Sequence, residues 1–414
     1  MSTIQLPPTV KEIMETINGY VVGGAVRDII LGRITHDWDI ATPLNTNEII
    51  QALKEYNPIK VGEQLGVIKI NTEIGVIDVA SFRADEYDGK SRKPKITQVR
   101  TLKEDVTRRD FTINGLAADL HGKVIDYIGG ALDIALRRIS FIGKADERIQ
   151  DDPLRMLRAI RLAATLGFYI EPRSFAAINR NAHELKRISN ERITEEFRKA
   201  TNSFGAFFTL LLSTKLISEI FNIDSDTLYN TKHDHRGNHY GENVVEHTKR
   251  IIMAVEHQSN FILSLAAALH DIGKPAVVKD TGDKIMFIGH EKIGQEIAKN
   301  ARLSLSNAES RTLLFLIGEH MRFAKLFEGG NRTIAHAIVD YKLKGITLPQ
   351  LAMLNDLIAA DHDIKNQENW NKIVTAFNTP RPPGEKFNNL EITKRGDAIR
   401  SVWIADTLNS INRS

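Results

Sequence analysis

The stretch that decides the fold is Tyr20-Val21-Val22-Gly23-Gly24-Ala25-Val26-Arg27-Asp28, followed by His36-Asp37-Trp38-Asp39-Ile40. The first run predicts a short apolar strand, two glycines that let a phosphate approach the backbone, and a helix start whose free N–H groups favour an anion. In an extended segment, Asp37 and Asp39 share one face because side chains alternate along a strand. Two carboxylates opposite a phosphate cradle suit a divalent metal. The two runs together predict nucleotidyl transfer.

The composition is that of a soluble globular protein with several domains. The chain has 414 residues, of which 42% are hydrophobic and 26% charged, so we expect two to four domains. No apolar run approaches the roughly 20 residues of a membrane span, and the N-terminus lacks a signal-peptide pattern. The absence of cysteine excludes disulfides, thiolate metal sites and cysteine nucleophiles. We therefore expect a cytoplasmic protein without membrane contact, whose metals bind His and carboxylate side chains.

The charge balance is mildly basic and uneven. The net charge is +3 and the isoelectric point about 8.8. Basic clusters lie at 90–95, at Arg108-Arg109 and at Arg155, Arg158 and Arg161. This bias is compatible with a polyanionic partner but does not require one, because a single cluster is usually a solvated face.

The hydrophobic periodicity divides the chain into an α+β part and a helical part. Residues 1–143 mix helices with short β-like runs at 20–22, 36–40, 67–70, 75–80 and 124–127. From residue 144 onward the periodicity is helical. Further changes of composition near 222 and 379 predict four domains: 1–143, 144–221, 222–378 and 379–414.

A third carboxylate, Asp78, lies in the β-like run 75–83. If that strand pairs beside the strand of Asp39, three carboxylates converge on two metal ions. One ion would activate a 3′-hydroxyl, and the other would hold the triphosphate and stabilise the departing pyrophosphate.

Four motifs in order carry a family resemblance. GGAVRD (23–28), DWD (37–39), RRDFTINGLA (108–117) and DPLRMLRAIRLA (152–163) resemble those of class II tRNA nucleotidyltransferases, the CCA-adding enzymes, and of bacterial poly(A) polymerases. The resemblance implies a polymerase-beta-like nucleotidyltransferase head followed by all-α neck, HD and tail domains. It also implies Mg²⁺ on Asp37 and Asp39, with Asp78 as the third catalytic carboxylate. The residues implied to bind the nucleotide in the head are Gly23, Gly24, Arg27, Arg109, Asp110 and Asn114.

The family's base-selecting motif, E-D-x-x-R, matches Asp151-Asp152-Pro153-Leu154-Arg155, with Asp in the first position. On a helix, Asp152 and Arg155 point the same way, and a carboxylate with a guanidinium matches the Watson–Crick edge of C or A. Arg158 and Arg161 continue at the same spacing and predict a basic ridge toward phosphates.

Two further segments match the family. The polar stretch 83–94 predicts a mobile loop. It resembles the flexible loop that helps to switch these enzymes from C to A addition. Residues 191–198 resemble the neck, where we expect a core-bracing role.

A second chemistry is indicated by His270-Asp271-Ile272-Gly273-Lys274. Neutral imidazoles with carboxylates suit a transition metal (Mn, Ni, Co, Fe or Zn), while Mg²⁺ remains an alternative. His233, His235 and His239 lie in a polar loop and could also contact a metal, but we expect them to be solvated. The run 270–274 resembles the centre of the HD phosphohydrolase pattern, which implies that Lys274 contacts a substrate phosphate. The candidate metal ligands that this resemblance implies are His247, His270, Asp271, His290, His320 and Asp361.

This half resembles the HD phosphohydrolase domain fused to many CCA-adding enzymes. The resemblance implies phosphatase, 2′-nucleotidase or 2′,3′-cyclic phosphodiesterase activity on RNA ends. The expected partners are the tRNA 3′ end, ATP and CTP, without DNA, in a monomer or homodimer. Two alternatives stay open: a poly(A) polymerase, and an RNA-end hydrolase whose head only holds RNA.

Overall fold

The computed structural model describes residues 3–35, 37–61, 66–86, 95–233, 242–281, 285–326, 328–362, 367–383 and 392–413. The chain forms two compact units. The first comprises Met1–Glu196 and Thr214–Glu219, and the second comprises Phe197–Ser213 and Ile220–Ser414. The predicted division into four domains stays a prediction. Within the described ranges, no helix combines the length and the apolar character needed to cross a membrane.

The first unit contains a mixed sheet surrounded by helices. The strands are β1 (Tyr20–Val22), β2 (Trp38–Thr42), β3 (Ile59–Val61), β4 (Val67–Thr72), β5 (Gly75–Ser81), β6 (Arg83–Glu86), β7 (Lys95–Gln98), β8 (Leu116–Ala118), β9 (Val124–Asp126), β10 (Arg138–Ile139) and β11 (Tyr169–Ile170). The helices are α1 (Pro8–Ile17), α2 (Gly24–Ile30), α3 (Thr46–Ala52), α4 (Leu102–Thr107), α5 (Gly130–Ala135), α6 (Ala145–Asp151), α7 (Leu154–Leu166), α8 (Pro172–Arg180) and α9 (Asn190–Lys199).

The main sheet has seven strands in the order β3-β4-β5-β2-β1-β8-β9. β2 and β5 run parallel, and the other neighbours are antiparallel. The predicted β-like runs all contribute strands to this sheet, although β2 begins at Trp38, so that Asp37 lies just before it. A buried cluster that includes Val22, Phe82 and Val106 packs against the sheet. The α+β head predicted from the sequence is confirmed.

Asp152 lies outside the helix that the sequence placed it in. The helix α7 begins at Leu154, and Asp152 is extended at φ −144° and ψ 102°. Pro153 explains this boundary, because a proline disfavours helical geometry in the residue before it.

The second unit is helical apart from one short strand pair among its described residues. Its helices are α10 (Phe204–Leu212), α11 (Leu216–Phe221, which begins in the first unit), α12 (Ser225–Asn230), α13 (Val244–Val255), α14 (Phe261–Leu269), α15 (Lys274–Val277), α16 (His290–Asn300), α17 (Asn307–Ala324), α18 (Asn331–Leu343), α19 (Leu348–His362), α20 (Gln367–Asn378) and α21 (Ile392–Arg413), and its strands are β12 (Lys279–Asp280) and β13 (Ile285–Met286).

The helix α14 is the centre of the second unit. The Asn260 side chain caps it by accepting from the Leu263 amide, and every residue from Phe261 to Leu269 is buried. A helix that is apolar on all sides must be surrounded by other elements. It therefore carries His270 and Asp271, which follow it directly, into the interior.

Candidate functional site

The glycine turn after β1 is shaped to admit a ligand. Gly23 has φ +77°, and its amide donates to the Leu116 carbonyl at 3.0 Å. A Cβ atom at this position would lie 2.9 Å from Arg109 Nη1 and 3.5 Å from Asp39 Oδ2. Any larger residue would be strained and would crowd both side chains. The turn thus brings the backbone, a guanidinium and a carboxylate to one place.

Three carboxylates converge at Asp39. Asp39 on β2 lies opposite Asp78 on the parallel strand β5, and Asp37 lies two residues before Asp39, near enough for its charge to act on it. The side chain of Asp39 is exposed, but the protein around it removes part of its hydration, which raises its pKa. The Arg109 charge lowers this pKa and the charges of Asp78 and Asp37 raise it further, so that it lies above its ordinary value. Lys69 Nζ offsets part of this charge by binding both oxygens of Asp78 at 2.8 and 3.0 Å.

This cluster fits a divalent cation. The carboxylates repel one another, which a metal ion between them would relieve, and oxygen donors are the ligands that Mg²⁺ prefers.

Arg27 is anchored at the base of the turn. Its Nε and Nη2 donate to both carboxylate oxygens of Asp28 at 2.9 and 2.8 Å, and its Nη1 donates to Asn114 Oδ1 at 2.6 Å. Asn114 in turn donates to Asp110 Oδ1 at 3.0 Å. The predicted nucleotide-binding residues Arg27, Asn114 and Asp110 therefore form one hydrogen-bonded chain.

Asp110 is held by the helix α7. Arg158 donates to Asp110 Oδ2 through Nε at 2.9 Å and Nη2 at 2.7 Å. Burial by itself would raise the pKa of Asp110, but the Arg158 charge and the hydrogen bonds from Asn114, Arg158 and the Phe111 amide lower it to about 2. Asp110 is therefore ionised at neutral pH.

The basic ridge expected along α7 is not free in this structure. Arg158 binds Asp110, and Arg161 Nε donates at 2.6 Å to the buried Glu196, which belongs to the neck-like segment. Arg155 is 7% exposed and donates to the carbonyls of Arg148 and Arg108 at 3.0 and 3.4 Å.

The predicted base-reading pair is not brought together. Asp152 Oδ2 accepts from Arg192 Nη2 at 2.9 Å, whereas Arg155 points to backbone carbonyls. The expectation that both side chains share one helix face was wrong, because Asp152 lies outside the helix.

The expected loop 83–94 is partly strand. Residues Arg83–Glu86 form β6, which pairs antiparallel with Lys95–Gln98 in β7. Residues 87–94, where the rest of the predicted loop falls, lie outside the described residues.

In the second unit, all six candidate metal ligands meet in the interior. They come from α13, the end of α14, α16, α17 and α19, and all are buried. His247 Nε2 lies 3.0 Å from Asp361 Oδ1, 3.2 Å from His270 Nε2 and 3.3 Å from Asp271 Oδ2. His290 Nε2 lies 3.2 Å from Asp271 Oδ1. The two oxygens of Asp271 thus face two different sets of imidazoles.

Backbone carbonyls orient three of the rings. Nδ1 of His270, His290 and His320 lies at 2.9, 2.7 and 2.7 Å from the carbonyls of Ala267, Phe287 and Ile317. A carbonyl only accepts, so Nδ1 carries the proton and the Nε2 lone pair of each neutral ring points to the centre.

The pair His290 and His320 is the part of the cluster that best fits a metal. Their Nε2 atoms lie 3.1 Å apart. Burial lowers the pKa of His320 to about 3, aided by the charges of His270 and His290, while Asp271 and Asp361 oppose the shift. Two neutral nitrogens with facing lone pairs gain nothing from each other and are suited to a shared cation.

His247 has a different environment. Its Nδ1 lies 3.0 Å from Arg250 Nη2, which only donates, so Nδ1 accepts and the neutral ring carries its proton on Nε2 toward Asp361. Metal binding by this Nε2 requires that Arg250 shift and the proton move to Nδ1.

The carboxylates remain ionised despite their burial. Burial raises the pKa of Asp271 and of Asp361, but neighbouring imidazoles, and Lys274 beside Asp271, lower both well below the ordinary value. The same carboxylates raise the pKa of His270 against the effect of burial. Positive charge at the centre is thus favoured, as a metal site requires.

His233 belongs to this centre, contrary to expectation. It is 2% exposed, its ring stacks on His247 with centroids 3.7 Å apart, and its Nδ1 lies 2.8 Å from Lys274 Nζ. Lys274 is also buried and lies 2.6 Å from Asp271 Oδ2. No spacing or neighbouring residue in the sequence separates His233 from His235 and His239, which lie outside the described residues. The burial of His233 follows from the packed structure.

Three family models match consecutive segments of the chain. Residues 19–140 match the Poly A polymerase head domain, residues 167–224 the probable RNA and SrmB-binding site of polymerase A, and residues 242–343 the HD domain. The CCA-adding enzyme of Lactococcus lactis subsp. lactis (strain IL1403) is 42% identical over 203 residues, which are 47% of this chain and 50% of that protein. That of Lactobacillus johnsonii is 40% identical over 217 residues, which are 51% of this chain and 54% of that protein.

Over about half of its length the chain is similar to CCA-adding enzymes, and the head, RNA-binding and HD models match it in that order. The family resemblance read from the four motifs is thereby confirmed. The matched segment spans about half the length of these curated relatives.

The fold of the whole chain is similar to that of solved CCA-adding enzymes. The Bacillus stearothermophilus CCA-adding enzyme in complex with CTP superposes with a TM-score of 0.67 at 22% identity, covering 97% of this chain and 93% of that one. The Thermotoga maritima CCA-adding enzyme complexed with tRNA_CCA gives a TM-score of 0.61 at 19% identity, covering 100% and 99%.

Proposed function

We propose that the protein adds or repairs the 3′-terminal CCA of tRNA, using CTP and ATP with Mg²⁺ at the head. The observation that carries this proposal is the meeting of Asp39, Asp78 and Arg109 at the Gly23 turn. Mg²⁺ bound by Asp37 and Asp39 would activate the attacking 3′-hydroxyl and neutralise the triphosphate. The family relationship and the CTP, ATP and tRNA_CCA complexes of similar structures support the same substrates.

The remaining head residues would bind and orient the nucleotide. Gly23 and Gly24 leave room for the phosphates, and Arg109 places a cation beside them. Arg27 and Asn114 fix Asp110, which would contact the sugar. Arg158 and Arg161, which both lie on α7 and bind Asp110 and Glu196 in this structure, would also contribute to nucleotide binding.

For base selection, Asp152 and Arg155 would have to release their present partners. Asp152 leaves Arg192 and Arg155 leaves the carbonyls of Arg148 and Arg108 when both turn to the incoming base. A carboxylate acceptor and a guanidinium donor would then discriminate C and A from the other bases.

The HD centre would act on phosphates at RNA ends. Asp271 Oδ1 with His290 and His320 offers one metal position, and His247, His270 and Asp361 offer a second beside Asp271 Oδ2. A Mn, Ni, Co, Fe or Zn ion, or Mg²⁺, would generate a nucleophile from water for phosphatase, 2′-nucleotidase or 2′,3′-cyclic phosphodiesterase chemistry. Lys274, which is buried beside Asp271, would reach a phosphate only after leaving His233. The proposal places the protein in the cytoplasm, where its tRNA substrate is used.

The decisive experiment incubates the protein with tRNA that lacks CCA and with CTP alone. Incorporation of C that stops after two residues, followed by one A when ATP is added, supports the proposal. Absence of C incorporation with continued A addition would instead identify a poly(A) polymerase. Release of phosphate from RNA ends without any nucleotide addition would indicate that the head only holds RNA.

A further inference from the structure

Asp105 is a buried carboxylate that no predicted motif role includes. It lies on α4, whose start is fixed by a capping box between Thr101 and Glu104, and it is 0% exposed. A buried carboxylate is costly unless cations and hydrogen bonds compensate it. Asp105 Oδ1 accepts from Arg108 Nη2 at 2.7 Å and Nε at 3.0 Å, and Oδ2 accepts from Arg109 Nη2 at 3.0 Å.

The other end of the Arg109 guanidinium lies at the candidate catalytic centre. Arg109 Nη1 is the atom nearest to a Cβ built on Gly23, and the charge of Arg109 lowers the pKa of Asp39. One guanidinium therefore spans from Asp105 to the glycine turn. Since Asp105 binds one end of this planar group, it sets the direction in which the other end points.

Asp105 itself is fixed by a third segment. The Arg83 amide, which opens β6, donates to Asp105 Oδ1 at 3.3 Å. The Asp105 carboxylate is thus held by its place on α4, by the two arginines that follow this helix and by the first residue of β6. These contacts make it a rigid support for Arg109.

We propose that Asp105 is the positioning residue that holds Arg109 over the glycine turn for recognition of the nucleotide triphosphate. The inference rests on the proposed nucleotidyl transfer. Without Asp105, Arg109 would keep its charge but lose its fixed direction. The expected loss is mainly in KM for the nucleotide, since a positioned cation binds the triphosphate before the chemical step as well as during it.

The test compares Asp105→Asn with the wild type in nucleotide addition to tRNA. We expect KM for CTP and for ATP to rise between about 10-fold and 10²-fold, the loss typical of a displaced positioning group. Asp105→Glu, which restores the charge, should recover part of the affinity. Binding of CTP in the absence of RNA, measured by calorimetry, gives a readout that does not depend on turnover.

A double-mutant cycle distinguishes positioning from general stabilisation. If Asp105 acts through Arg109, then Asp105→Asn adds no further loss of affinity in an Arg109→Gln background; additive losses would overturn the proposal. An unchanged KM and CTP affinity in Asp105→Asn would also overturn it. If circular dichroism shows that Asp105→Asn does not fold, the Arg109→Lys variant is measured in its place. A lysine ammonium at this position cannot reach both Asp105 and the glycine turn.

Glu184→Gln is the matched control, since Glu184 is a partly buried carboxylate paired with Arg187 in the same unit. It should leave both nucleotide constants unchanged. Failure of the wild type to add any nucleotide would refute the proposed function itself, whereas CTP binding still tests Asp105.

Discussion

The two candidate centres of this protein, the head carboxylates and the His/Asp cluster of the second unit (the HD centre), both concentrate negative charge but differ in how that charge is stabilised. In the head, Asp37 and Asp39 remain exposed on the sheet, and the side chain of Asp78 is 33% exposed. In the HD centre, Asp271 and Asp361 are buried among imidazoles. An open carboxylate site suits Mg²⁺ that arrives with a nucleotide and leaves with pyrophosphate, whereas a closed imidazole site suits a metal that stays.

The source of the compensating charge also differs. In the head it comes from cations such as Arg109 and Lys69, which neighbouring elements hold in place. In the HD centre it comes from Lys274, which lies 2.6 Å from Asp271 Oδ2, and from His270, whose pKa the neighbouring carboxylates raise. The comparison predicts that substitutions in the head abolish nucleotide addition without affecting metal binding by the HD centre, and that substitutions in the HD centre have the opposite effect.

The largest expected effect separates the two centres by removing the head carboxylates. Asp37→Asn with Asp39→Asn should lower nucleotide addition by about 10³-fold or more, because metal stabilisation of the transition state is worth several kcal/mol. Labelled CTP incorporation into tRNA measures this, and metal content of the HD centre should not change. Asp146→Asn, an exposed carboxylate paired with Arg180, is the control. Undiminished addition by the double variant would refute the metal assignment.

The next effect is the converse. His290→Gln with His320→Gln should weaken metal binding by roughly 10²-fold or more, since even changes behind the ligands cost 10–100-fold. Metal content after dialysis against Mn²⁺, measured by mass spectrometry, tests this, and nucleotide addition should persist. His257→Gln is the matched control on the surface of the same unit. Equal metal content in all variants would show that these rings are not ligands.

A smaller effect concerns the acid stability of the head. The pKa of Asp110 is lowered to about 2 in the folded protein, so its stabilising contribution is fully present above the unfolded pKa of about 3.9 and is lost as pH falls through about 2. The contribution at neutral pH is about 2 kcal/mol. Urea unfolding between pH 5 and pH 2.5 should therefore show a weaker pH dependence in Asp110→Asn. The same slope in wild type and variant would contradict this.

The smallest expected effect tests whether His233 is one of the metal ligands of the HD centre. His233→Gln should weaken metal binding only about tenfold, because we expect His233, which stacks on His247 and contacts Lys274, to act behind the ligands. The dialysis measurement used for His290 and His320 gives the comparison. A loss as large as theirs would make His233 a ligand, and Lys274 would then have to give up its present position.

Much of both sites was predictable because the relevant neighbours are set by local periodicity. The alternation of a strand predicts that Asp37 and Asp39 share a face, and β5 indeed places Asp78 opposite Asp39. The six candidate HD ligands are histidines and aspartates next to apolar helices, and the structure brings all six together in the interior. The prediction that Asp152 lies on a helix is wrong because Pro153 marks the start of α7 and leaves the residue before it outside the helix.

The sequence by itself determined the order of elements, the glycine turn with its carboxylate strand and the positions of the six candidate HD ligands, since these depend on residue type and short spacing. Only the tertiary structure decided what each charged group bonds to. Arg158 binds Asp110, Asp105 holds Arg109, and His233 rather than a solvated position flanks His247. Such pairs join residues distant in sequence and form because burial makes an unpaired charge or ring nitrogen costly, a condition that exists only after the chain has packed.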